Sequence, residues 1–434
     1  MTVEDIYGLF SKCTGVTTDS RKCGQGLMFF ALKGERFDGN NFVRGALGQG
    51  CPYAVMDNPE FYESTDSRMI LVDNVLSTLQ QVAALHRRTL GTPVIGITGT
   101  NGKTTTKELT NAVMSTTYNV LCTQGNLNNS IGVPLTVLGL EPEHEYAIVE
   151  MGASHPGDIK ELVEVSQPDF GLITNVGKAH LLGFGSFEGV KRTKGELYDW
   201  LREHGGTVFV NRDNEHLQQM CSGLPLVEYG KPGQKGLLVE GEVLECNPFV
   251  KIRWRTAGGD WHTVQTNLIG AYNVDNALAA ITIGLKFGVT EQDASDAVAG
   301  YKPQNNRSQL TETGRNHLVV DAYNANPTSM AAALENFSMI QAQDKMLILG
   351  DMRELGEASE AEHKKIVMEL RNYGFTEVWL VGSEFAKAAA DSGFRLFADV
   401  DEVNKALETE KVNGKTILIK GSNSIGLTKT ITNL

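Results

Sequence analysis

The segment Ile95-Gly-Ile-Thr-Gly-Thr-Asn-Gly-Lys-Thr-Thr-Thr-Lys-Glu108 constrains this chain more than any other. An apolar run leads into a glycine-rich turn, and a helical pattern leads out, so the region reads as strand, loop and helix start. Gly99 and Gly102 let the backbone bend tightly and turn its N–H groups toward one point. Lys103 adds a cation, Thr104 adds a hydroxyl suited to Mg2+, and the helix N-terminus adds partial positive charge. Together with Thr100, Asn101 and Thr105 these parts make a polyphosphate cradle. The spacing is unusual: the common phosphate-loop pattern places a glycine where Ile97 stands here.

Composition narrows the classes. At 434 residues, with 41% apolar and 21% charged residues, the chain has the make-up of an ordinary globular protein of two or three domains. A net charge of −13 argues against a nucleic-acid partner, whose binding draws on Lys and Arg contacts to phosphate. No apolar run reaches the roughly 18 residues of a membrane span, and no signal peptide opens the chain, so no membrane association and a cytoplasmic location are expected. Six scattered cysteines form no CxxC pair, which leaves zinc and redox readings without support.

Pattern divides the chain into three blocks: 1–80, 81–302 and 303–434. The first carries apolar strands at Met28–Leu32, Tyr53–Met56 and Met69–Val72, then a helical stretch, Leu76–Thr89. In the second, strands at Val94–Thr98, Tyr146–Val149, Phe170–Thr174 and Thr207–Val210 alternate with helices, including Asp158–Val165 and Phe187–Leu201. Such alternation implies a parallel sheet covered on both faces. Leu237–Thr256 alternates instead and suggests an antiparallel excursion before a helix over Asn273–Gly288. The third block alternates five strands with four helices and reads as a doubly wound unit, with a helix expected at Phe385–Ser392. Polar residues stand just past its strand ends, at Asp321, Asp351, Ser383 and Lys420, where such sheets bind ligands. The expected fold is therefore α/β in three domains: a small mixed one, a central phosphate-loop sheet and a Rossmann-like sheet.

Several single residues admit two readings. Glu150 ends an apolar strand and serves either as a Mg2+ ligand or as a strand terminator. His180 lies just beyond another strand, where it is either solvated or a ligand. Periodicity alone makes Lys194 a solvated helix lysine and pairs Glu188 with Arg192 at i,i+4. Asn273 and Asn276 sit at a helix start, as a cap or as readers of an adenine edge. Asp321 suits ribose hydroxyls, and Tyr323, Asn324 and Asn326 follow it in a loop-and-cap sequence. Arg307 reads as a surface charge or as a cation for a γ-phosphate. Asn211-Arg-Asp213 approaches a guanine-reading motif but is one residue short.

Read together, the motifs resemble the Mur ligase family. They are Thr18-Asp-Ser-Arg21, Leu32-Lys-Gly-Glu-Arg-Phe-Asp-Gly39, Gly99-Thr-Asn-Gly-Lys-Thr-Thr105, Gly125-Asn-Leu-Asn-Asn-Ser-Ile-Gly-Val-Pro134, Glu150-Met-Gly-Ala153, Asn175-Val-Gly-Lys-Ala-His180, Asn273-Val-Asp-Asn-Ala277, Asp321-Ala-Tyr-Asn-Ala-Asn-Pro327 and Gly350-Asp-Met-Arg-Glu-Leu-Gly356. The shortened glycine loop is the family's own version. The resemblance implies an ATP-dependent amide ligase that makes an acyl phosphate, and the last two motifs point to the member that adds D-alanyl-D-alanine to a UDP-N-acetylmuramoyl-tripeptide. It implies two Mg2+ ions, one on Thr104 and Glu150, the other on His180 and a carbamylated Lys194. It assigns adenine to Asn273, ribose to Asp321 and the γ-phosphate to Arg307. Substrate contacts are implied for Ser20, Arg21, Lys33, Asp38 and Gly39 on the nucleotide sugar, and for Asn128, Asn129, Tyr323, Asn324 and Asn326, in an expected monomer with small-molecule partners. Tyr272 and Asn423 stand where the family often has His and Arg.

Overall fold

Three large sheets and one two-stranded hairpin, Lys33–Gly34 with Phe37–Asp38, are formed by the described residues. A computed structural model describes residues 1–35, 37–303 and 309–434. Strands Gly15–Thr17, Leu27–Phe30, Ala54–Met56 and Met69–Leu71 form a parallel sheet in that order. Helix Val75–Leu90 follows, capped by Asn74 and ended by left-handed Gly91. It runs unbroken past position 80 and packs against both the N-terminal helix Val3–Phe10 and helices of the central region.

The central sheet has nine strands. Val94–Thr98 lies between Phe170–Ile173 and Tyr146–Glu150, parallel to both, and every one of its residues is buried. Two covered faces explain its unbroken apolar run. Gly96 belongs to that packing, because a Cβ there would lie 2.6 Å from Met151 Cε. The antiparallel excursion is present as Val239–Cys246 against Phe249–Thr256. It extends to a third strand, His262–Ile269, whose polar alternation hid it in the sequence.

The C-terminal sheet runs in the order Gln309–Glu312, His317–Asp321, Thr416–Lys420, Lys345–Gly350, Val378–Val381, Arg395–Phe397. Only the first of these strands is antiparallel to its neighbour. The helix expected at Phe385–Ser392 is instead Ser383–Ala388. Its early start has a cause: the Asp351 carboxylate accepts from the backbone N–H groups of Glu384 (3.1 Å) and Phe385 (2.9 Å). The three sheets and their helices make a three-domain α/β architecture. Among the described residues no helix is long and apolar enough to cross a membrane.

Candidate active site

A cavity of about 650 Å3 opens between the central and C-terminal sheets, at the carboxyl ends of their strands. The glycine loop forms one wall. Gly99 and Gly102 have φ of 144° and 80°, and a Cβ at Gly99 would lie 2.0 Å from Thr174 Oγ1. The loop is held from the next strand end: the Asn101 N–H donates to Asn175 Oδ1 (3.0 Å), and its carbonyl accepts from Thr174 Oγ1 (2.6 Å). Lys103 Nζ donates to the carbonyls of Gly99 (2.8 Å) and Thr100 (3.1 Å), which places its charge inside the turn. Thr105 also lines the cavity.

Glu150 supplies the clearest electrostatic signal. It is 1% exposed. Its Oε1 accepts from Thr104 Oγ1 (3.1 Å) and from Asn128 Nδ2 (2.8 Å). Its Oε2 is buried without a hydrogen-bond partner. An unpartnered carboxylate oxygen inside a protein is costly, and a divalent cation answers that cost. One carboxylate and one hydroxyl beside a phosphate loop is the sparse donor set that suits Mg2+, an ion that usually takes its remaining oxygens from phosphate and water.

Lys194 overturns the solvated-lysine reading. It is 2% exposed, lies 5.7 Å from the Phe184 ring, and makes no hydrogen bond or ion pair among the described residues. Burial drives its pKa well below the ordinary value, and the charge of Lys103 adds to the effect. The i,i+4 pair of Glu188 with Arg192 does not form; Glu188 pairs with Lys191 at 3.2 Å instead. His180 lines the cavity with φ of 49° and bonds through Nδ1 to the carboxylate of Glu354, in the loop after C-terminal strand Lys345–Gly350. Burial lowers the His180 pKa, Glu354 opposes the shift, and Lys103 reinforces it.

Across the cleft, Asp321 pairs with Lys420 at 2.5 Å. Lys420 is 1% exposed and also donates to the Asn324 carbonyl at 3.4 Å. Asp321, Tyr323, Asn324 and Asn326 all line the cavity. Asn326 caps helix Pro327–Met339 in a reciprocal box with Ser329, and its Nδ2 reaches Asn101 Oδ1 across the cleft at 2.8 Å. Asn273 faces the cavity too, but neither it nor Asn276 caps its helix, which starts after Tyr272. Asn273 Nδ2 donates to the Ile269 carbonyl (2.8 Å) and its Oδ1 accepts from Asn276 Nδ2 (2.8 Å). Asn276 Oδ1 in turn accepts from Thr106 Oγ1 at 3.0 Å, tying this helix to the one that follows the loop.

The remaining expected residues divide. Asn128 and Asn129 line the cavity. Ser20 and Arg21 lie in a short 3-10 turn, Lys33 and Asp38 in a small two-stranded hairpin, and Gly39 starts a further turn, all in the N-terminal region and outside the cavity wall. Lys33 bonds to Asp57 at 2.9 Å, and Asp38 accepts from the Asn40 N–H at 2.9 Å. Arg307 lies outside the described residues. Sequence reasoning places Lys420 at a ligand-binding strand end without giving it a role, and assigns none to Asn175 or Glu354, although both stand in quoted motifs beyond strand ends.

Comparison with known proteins decides the family. Three family profiles match in order: the Mur ligase family catalytic domain over 12–87, the Mur ligase middle domain over 97–284 and the Mur ligase glutamate ligase domain over 306–423. This chain is a Mur ligase. The Bacillus subtilis UDP-N-acetylmuramoyl-tripeptide--D-alanyl-D-alanine ligase is 39% identical to it over 81% of this chain and 76% of that protein. The Escherichia coli protein of the same name is 34% identical over 98% and 95%. The MurF ligase of Thermotoga maritima, solved in complex with ADP, superimposes on this Mur ligase with a TM-score of 0.86 at 25% identity, covering 98% of this chain and 97% of that one. The glycine spacing that departs from the common phosphate loop is thus part of a Mur ligase central domain.

Proposed function

We propose that this Mur ligase joins D-alanyl-D-alanine to a UDP-N-acetylmuramoyl-tripeptide in the cytoplasm, consuming ATP and working as a monomer. The observation that carries the reading is the single cleft lined by Lys103, by Glu150 with its unpartnered oxygen and its Thr104 partner behind it, and by Asp321 and Lys420. Relatives named for this reaction, one of them bound to ADP, support it.

A carboxylate is a poor electrophile. Transfer of the γ-phosphoryl group converts the terminal carboxylate of the tripeptide into an acyl phosphate, with ADP leaving. The dipeptide amine then attacks the acyl carbon, the C–N bond forms, phosphate departs and the amine loses a proton. In the first step two anions must meet. Lys103 and the N–H groups at the start of its helix would meet the phosphates from positions fixed before reaction starts, which is how a preorganised site lowers such a barrier. Thr104 and Glu150 would hold one Mg2+, with Asn128 orienting the Glu150 carboxylate. His180 and a carbamylated Lys194 would serve a second. Mg2+ held by these residues would supply charge neutralisation for the phosphate oxygens. The Lys194 amine, whose pKa burial holds well below the ordinary value, suits carbamylation: the neutral nitrogen would bond to the carbon of CO2, one proton would leave to solvent, and the product would be an anionic oxygen donor. Asn273 would read adenine, Asp321 ribose and Arg307 the γ-phosphate. In the division of labour we assign, residues 1–80 hold the nucleotide sugar, 81–302 the ATP phosphates, and 303–434 the dipeptide and the rest of ATP.

A phosphate-release assay distinguishes the amine. With ATP, Mg2+ and UDP-N-acetylmuramoyl-tripeptide, release should depend on D-alanyl-D-alanine. Release that instead requires a single amino acid and a shorter nucleotide substrate would transfer the protein to an earlier step of the same ligase series.

A further inference from the structure

We infer that Glu354, contributed by the C-terminal domain, is a positioning residue for His180, so that the histidine is fixed for metal binding only when the cleft is closed. The contact crosses the cleft twice. The Glu354 carboxylate meets His180 Nδ1, and the Glu354 carbonyl accepts from the Leu182 N–H at 3.1 Å. A carboxylate can only accept, so in the neutral ring the shared proton sits on Nδ1, and Nε2 keeps the lone pair that a cation needs. Carboxylate support of a metal-binding imidazole orients the ring and raises its basicity. Here that support comes from a different domain.

The strand-end loop that carries Glu354 is built to hold it. Asp351, fully buried, is anchored by two backbone N–H groups of the following helix. The Met352 N–H donates to His363 Nε2 at 3.0 Å, and the Arg353 N–H donates to Ser422 Oγ at 3.0 Å. Both partners of the cross-cleft pair take left-handed backbone, at φ of 63° for Glu354 and 49° for His180. Side-chain residues seldom adopt that region without surrounding structure that enforces it. The neighbouring ion pair of Lys178 with Glu362, at 3.2 Å, closes the same interface without touching His180 and provides a control.

The inference rests on the metal role proposed for His180, and its test reads two quantities other than turnover. In metal-free protein labelled with 15N-histidine, the His180 resonance, assigned by its loss in His180→Asn, should report the Nδ1–H tautomer. Glu354→Ala should move it toward the Nε2–H form, and Glu354→Gln, which retains an acceptor, should largely restore it. Mn2+ alone, followed by electron paramagnetic resonance, should bind the His180-dependent site about tenfold more weakly in Glu354→Ala. Glu362→Gln should leave both readouts at wild-type values. An unchanged tautomer and Mn2+ isotherm in Glu354→Ala, or an equal loss in Glu362→Gln, overturns the inference. Failure of the ligase reading would appear separately, as absent phosphate release, and would leave the tautomer result standing.

Discussion

Lys103→Ala is expected to lower kcat by about 10^3-fold or more, of the order seen when a cation that stabilises a transferring phosphoryl group is removed. The geometry explains why the loss falls on kcat. In the structure the ammonium is held inside the glycine turn by the Gly99 and Thr100 carbonyls, at 2.8 and 3.1 Å. Its position is set before substrate arrives, and its charge lies where charge develops during transfer. Alanine removes the charge while the helix beginning at residue 103 keeps its register, since alanine is the best helix former. Circular dichroism and the unfolding midpoint should therefore stay near wild type while single-turnover phosphoryl transfer collapses. Lys103→Arg retains the charge in a longer, planar head that the turn does not fit, and should recover only part of the rate. A near-normal kcat in Lys103→Ala would remove this residue from the mechanism.

How far the sequence reaches depends on whether a residue's role is set locally. Val94–Thr98 and the helix from Lys103 are legible because the strand is buried on both faces and the glycines mark the turn. The strands of the C-terminal sheet are legible for the same reason: Val378–Val381, for example, is buried throughout. Strand Leu226–Gly230 is not, because its first residues are exposed or half-buried and it lacks an apolar run. Helix Glu291–Gly300 escapes notice because its sequence, EQDASDAVAG, buries only Ala294, Ser295 and Val298. The candidate site divides the same way. The loop, Glu150 and Asp321 announce themselves at strand ends. The Glu354–His180 contact joins residues 174 positions apart and has no local signature. Lys194 is the instructive failure. Its charge suggested solvent, yet Val190, Lys194, Leu197 and Leu201 fall on one helical stripe, and all four are buried. The stripe outranks the residue type here and places the lysine in the interior.

That placement leads to the second large effect. Lys194→Ala should cost on the order of 10^2 to 10^3 in kcat, comparable to losing one preorganised group that stabilises the transition state. Unlike the Lys103 variant, it should recover part of its activity when short carboxylates such as formate or acetate are added. The reasoning starts from burial. An amine that is 2% exposed, with Lys103 close enough to be felt, holds its proton poorly. A neutral amine has the lone pair that CO2 requires. Once the carbamate forms, the position carries an anionic oxygen in place of a cation, and the repulsion from Lys103 becomes attraction. Alanine leaves a space of roughly the size of the lost chain, into which a small carboxylate can bring the same oxygen donor. Lys194→Met separates charge from volume: it fills the space, so it should lose activity as fully as alanine and respond weakly to added carboxylate. Wild-type enzyme stripped of CO2 should likewise slow and regain its rate with bicarbonate. Full activity in CO2-free buffer, with mass spectrometry showing an unmodified Lys194, would reject the carbamate and leave the lysine a role in packing against Phe184.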